Sequence, residues 1–133
     1  MTRDQAAAFA AAWAAAWNER AVERVLSHFD DDVSFTSPTA VSVVGVGTVR
    51  GKQALRAYWN AALARIGTLR FTVDGIIWDP DTRELAIVYV SEIDGRVRRV
   101  SENLTFCANG LVVSAEVFHG IEAASRDRDA HEG

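Results

Sequence analysis

The chain has 133 residues and 49% hydrophobic composition, enough for one domain with its own core and no disulfide staples. Its net charge is −4, from 14 basic and 18 acidic side chains scattered along the chain, so there is no basic stripe to meet a nucleic-acid backbone. No apolar run approaches the ~18–20 residues of a membrane span, no signal peptide is legible, and the lone Cys107 can form no internal disulfide; the expected location is the cytoplasm.

Residues 4–18 are predicted helical, because Phe9, Trp13 and Trp17 recur at helical spacing beside Ala12 and Ala16. A second helix is expected from about Ala21 to Phe29, on Val22, Val25, Leu26 and Phe29. Asp30, Asp31 and Asp32 end it, and their spacing matches no calcium loop, so they read as an exposed turn. Val33, Ser34 and Phe35 form a short strand that stops near Pro38, and residues 39–50 read as a loop or edge segment. A third helix runs from about Lys52 to Arg65, with Leu55, Tyr58, Trp59, Ala62 and Ile66 on its stripe.

Beyond residue 66 the period drops to two. Strands are expected at about 68–78, 84–93, 96–107 and 111–121. Asp94-Gly95 and Asn109-Gly110 are two-residue hairpin signals, and Asp79-Pro80-Asp81-Thr82 is a longer turn. Helices followed by a β-meander give an α+β layering in a single domain over 1–124, with a polar, disordered tail at 125–133.

The hairpin arithmetic locates a carboxylate. With Ala108 opposite Leu111, Phe106 meets Val113, Leu104 meets Ala115, Glu102 meets Val117 and Val100 meets His119. With Ile93 opposite Arg96, Tyr89 meets Val100 and Ile87 meets Glu102. One apolar face therefore carries Glu102 and His119 as diagonal neighbours, with Arg98 further along. Two registers stand open for the preceding strand: one puts Thr72 and Asp74 on this face, and a one-residue slip puts Val73 and Ile77 there. A carboxylate on an oily wall needs a partner or a pocket. Either Glu102 belongs to an internal network with His119 or Arg98, or a ligand cavity lies between sheet and helices. The aromatic supply, Trp13, Phe35, Tyr58 and Trp59, suits a cavity for a flat or cyclic apolar molecule. Trp78 is expected to pack locally.

The segments AAAWNERAVERVLSHFDDDVSFTSP, GKQALRAYWNAAL and ANGLVVSAEVF, in this order and spacing, resemble the NTF2-like superfamily over residues 7–120, in particular the SnoaL-like and steroid Δ5-3-ketoisomerase branch. The resemblance implies a cone-shaped, cystatin-like fold: three helices packed on a curved antiparallel sheet around a pocket. It also implies a homodimer through the outer sheet face, where Val88 and Val90 would lie. The isomerase's aspartate base falls at Ser37, its oxyanion-hole tyrosine at Trp13 and its protonated aspartic acid at Glu102; a phenylalanine common near the pocket end falls at His119. A serine is a poor general base without a helper, so the isomerase mechanism is not expected here. SnoaL-like cyclases use an aspartate acid/base, and related epoxide hydrolases an Asp–Arg–Asp set, for which Glu102, Arg98 and Asp74 are a loose analogue.

The leading expectation is a protein that binds a small, mostly apolar ligand. Its pocket residues would be Trp13, Phe35, Ser37, Tyr58, Trp59, Tyr89, Arg98, Val100 and Val117, with Glu102 and His119 as the polar handle. The alternatives are an acid/base enzyme using Glu102 with His119, with Asp74 as a further candidate, and a structural dimerisation module. No metal is expected, because His28, His119 and His131 are not in ligand spacing, and no nucleotide cofactor, because Gly45-Val46-Gly47 is no phosphate-binding turn.

Overall fold

The structure, a computed structural model, describes residues 1–123; the expected tail at 125–133, with His131, lies outside the described residues. In chain order the elements are α1 (Arg3–Asn18), α2 (Val22–Leu26), β1 (Phe29–Thr36), α3 (Pro38–Val44), β2 (Thr48–Arg50), α4 (Lys52–Ala64), β3 (Leu69–Asp79), β4 (Glu84–Ile93), β5 (Arg96–Phe106) and β6 (Val112–Ala123). The strands form one six-stranded sheet in the order β2-β1-β6-β5-β4-β3. No helix among the described residues is long and apolar enough to cross a membrane.

Thr2 starts α1 with a capping box: its Oγ1 accepts from Gln5 N (3.1 Å) while Gln5 Oε1 accepts from Thr2 N (2.7 Å). The helix buries Ala6, Ala10, Trp13, Ala14, Ala16 and Trp17, leaving Ala12 exposed. Its end is tied to β3 by Asn18, whose Nδ2 donates to Phe71 O (2.9 Å) and whose Oδ1 accepts from Phe71 N (2.7 Å). Arg20 then takes a left-handed conformation (φ 56°), and its guanidinium donates to the carbonyls of Leu63, Ile66 and Gly67 at the end of α4. On α4, Leu55, Tyr58 and Trp59 are buried, as their spacing predicts.

Several local expectations are corrected. Phe29 leaves the second helix and is buried at the start of β1, which runs through the three aspartates as an irregular strand. Residues 38–44 are a helix and not a loop: Ser37 Oγ accepts from Thr39 N (3.2 Å), Pro38 occupies the first turn, where it loses no hydrogen bond, and Gly45 closes the end at φ 84°. So a short fourth helix joins the expected three. The sheet is antiparallel except for β1 beside β6, which is parallel with Phe35 opposite Ala115.

The β4–β5 register is the expected one, with Ile87 opposite Glu102 and Tyr89 opposite Val100. The β5–β6 turn differs. Cys107 N donates to Leu111 O and Gly110 (φ 85°) N donates to Cys107 O, so the loop holds three residues rather than two. The register nevertheless recovers, because a bulge at Val113 adds the missing step: Val112 meets Phe106 and takes the buried place expected of Val113, while Leu104 meets Ala115, Glu102 meets Val117 and Val100 meets His119. Trp78 packs edge-on to Phe106, 6.0 Å away.

Candidate functional site

The concave face of the sheet, α1 and α4 line a cavity of about 150 Å³. β5 delivers Glu102 and Val100, β6 His119 and Val117, and β4 Tyr89. α4 delivers Tyr58 and Trp59, and β1 delivers Phe35, with Ser37 just beyond it. Arg98 also lines it, at the side shared with a neighbouring basin. The aromatics brace one another: Trp59 meets Trp17, Phe35 and Phe29 edge-on at 4.8, 5.4 and 5.5 Å, and Phe71 tilts against Tyr89 at 4.8 Å.

Glu102 is 5% exposed, between Ile87 and Val117 on the neighbouring strands. Burial pushes its carboxyl up to about 8, against the Trp13 indole, which favours the ionised form. That indole lies close enough to act on the carboxyl, yet neither Trp13 Nε1 nor Glu102 Oε2 completes a hydrogen bond of good geometry, so both are buried without a partner. At neutral pH the group is therefore mainly a neutral acid, able to donate one hydrogen bond.

His119 does not pair with Glu102. Its Nδ1 lies 2.8 Å from Arg98 Nη1. Arginine can only donate, so Nδ1 is the acceptor and the ring is the neutral Nε2–H tautomer. Burial first, and the Arg98 charge second, hold the imidazole below its ordinary value. Burial also raises the Tyr89 and Tyr58 hydroxyls, with the Glu102 charge adding to both and Ser37 opposing it at Tyr58.

Two expected residues are elsewhere. Trp13 does not line the cavity; it lies behind Glu102, stacked on Phe71 at 5.7 Å and edge-on to Tyr89 at 5.0 Å. Asp74 is on the outer face, where its Oδ2 meets Arg99 Nε at 3.3 Å. The cause is a bulge after Val73: Val73 pairs with Tyr89 and Ile76 with Ile87, so the strand changes parity at Asp74-Gly75. Of the residues the two open registers place inside, only Val73 faces in; Thr72, Asp74 and Ile77 (68% exposed) do not. The wall also takes Trp17, Leu63, Ile66, Leu69, Phe71 and Ser91, which sequence reasoning left out. The apolar period of β3 and the α4 stripe could have found Phe71, Leu69 and Ile66.

A curved sheet closed by helices over an aromatic cavity with one buried acid defines a cone-shaped α+β pocket protein of the NTF2-like, cystatin-like class. Residues 10–115 match the model of the SnoaL-like domain, and the chain belongs to that family. A SnoaL-like protein of unknown function from Burkholderia thailandensis E264 is similar at 30% identity, covering 90% of this chain and 98% of its own, with a TM-score of 0.80. A cystatin-like-fold protein of unknown function from Methylobium petroleophilum PM1 is 22% identical over 95% of this chain and 82% of its own, TM-score 0.74. BvnE pinacolase from Penicillium brevicompactum shares the fold at 18% identity, covering 90% of this chain and 88% of its own, TM-score 0.72. No functionally curated protein matches the chain.

Proposed function

We propose that this protein binds a small, mostly apolar cyclic molecule in the cavity, with Glu102 donating a hydrogen bond from its neutral acid to an oxygen of the ligand. The observation that carries the reading is the buried Glu102 oxygen, without a hydrogen-bond partner among the described residues, on a mostly aromatic and aliphatic wall. A cavity of about 150 Å³ matches a single-ring molecule, since cavities of ~150 Å³ take up benzene. Acetophenone is a suitable probe, followed by the fluorescence of Trp17 and Trp59, which line the space. Glu102→Leu should weaken its binding roughly tenfold, the value of one hydrogen bond, while Glu102→Gln, still a donor, retains most of it. Binding unchanged in both Glu102→Leu and a cavity-filling Val117→Trp would sink the reading.

Acid/base turnover is the second reading, favoured by a carboxyl that titrates near neutral pH. Glu102 would be the acid or base. His119 would act as a neutral Nε2–H donor steadied by Arg98 rather than as a proton-sharing partner. Ser37 is committed to capping α3 and supplies no base. Asp74 has no part in it. Dimerisation through the outer sheet face is supported by half-buried Val88 and Val90 and by Phe118, 49% exposed on the same face. The free Cys107 fits a reducing, cytoplasmic location.

A further inference from the structure

The cavity is open at one end. Through Thr39, Ser91 and Arg98 it continues into a second basin of about 300 Å³. That basin is lined by Arg65, Arg96 and Arg98 and by Thr39, Ser42 and Ser91, with no acidic side chain among the described residues of its wall. Among the described residues Glu122 ion-pairs with two of them from the side, 3.1 Å from Arg96 and 3.9 Å from Arg98. Arg65 caps the end of α4 and has no ion pair among the described residues. A helix C-terminus favours a cation there, which accounts for its place in the helix. It does not account for three arginines lining one basin against a single acid among the described residues.

We infer that the ligand is an aromatic or alicyclic monocarboxylic acid, bound with its carboxylate in the arginine-lined basin and a carbonyl or ether oxygen at the opposite end against Glu102. This rests on the ligand-binding reading above and deepens it. The planar guanidinium fork matches a carboxylate by paired hydrogen bonds, and a cationic ligand would meet like charge at the entrance. The reverse orientation would bury the ligand's charge on the apolar floor beside another carboxyl, where it would lose its hydration without gaining a cation. The two ends of the site therefore set both the class of molecule and its direction.

The test compares 4-acetylbenzoate with its neutral amide, 4-acetylbenzamide, and with acetophenone, each titrated by tryptophan fluorescence at neutral pH. The acid should bind on the order of tenfold tighter than the amide at low ionic strength, and the gap should close in about 0.5 M salt, where the screening length falls to a few Å. Arg65→Glu, at an exposed helix end, should abolish the preference while leaving acetophenone binding intact; Arg98→Gln should reduce it. Equal binding of acid and amide, or a preference untouched by Arg65→Glu, overturns this inference and leaves the pocket reading standing. Failure of all three probes to bind overturns both.

Discussion

Replacing Glu102 by glutamine keeps the side chain's volume and removes its titration. In the unfolded chain the carboxyl ionises near 4.5, and in the fold near 8, because burial penalises the charged form. Between those values the folded state holds a proton that the unfolded state has lost. Stability from this group is thus fully present below about pH 4.5 and drains away as pH rises to about 8, after which the loss is complete. At 1.36 kcal/mol per unit, the whole change is on the order of 5 kcal/mol, and roughly 3 kcal/mol of it has occurred by pH 7. That is a large part of the ~5–15 kcal/mol typical of a domain. Urea unfolding of wild type and Glu102→Gln at about pH 5, 7 and 9 reads it directly. The variant should differ little from wild type at the acid end and exceed it by several kcal/mol at the alkaline end. A difference that is flat across this range, or a wild type that gains on the variant as pH rises, would refute the account of Glu102 as an unpaired buried acid.

Two further outcomes follow from the geometry around His119. Gly120→Ala would place a Cβ 2.7 Å from the Arg99 carbonyl oxygen, closer than side-chain carbons approach, and should cost about 1–3 kcal/mol as a lowered urea midpoint; an unchanged midpoint would show that β6 gives way freely. Arg98→Met removes a charge and a hydrogen bond that both favour neutral imidazole, so the His119 pKa should rise in an NMR titration, though not fully to its ordinary value, because burial is the larger cause; no rise would mean the Arg98–His119 contact is not kept in solution.

The amphipathic stripes of α1 and α4, the Asp94-Gly95 hairpin and the alternation along β5 are local patterns, and reading them was enough to bring Glu102, His119, Tyr89, Val100 and Val117 onto one face. The Ser37-Pro38 start of α3 was also a local signal, but the valine-rich segment after it masked the helix. What sequence periodicity could not reach is where a strand slips by one residue. The bulge at Asp74-Gly75 turns Asp74 outward to Arg99 and sends Ile76 in its place. A second bulge at Val113 offsets the longer Asn109-Gly110 loop, so the Glu102 register came out right although the loop did not. A third, opposite Arg99, leaves Ile121 94% exposed and swings Glu122 opposite Arg98. Bulges are set by how a twisted sheet must bend to wrap the helices, a balance struck over all its strands at once, whereas a period of two is written residue by residue along each one. So the sequence by itself determined the fold class and the apolar face that carries the acid. Only the tertiary structure decided that Glu102 is buried against the Trp13 indole and not against His119, that His119 belongs to Arg98, and that the cavity opens towards arginines.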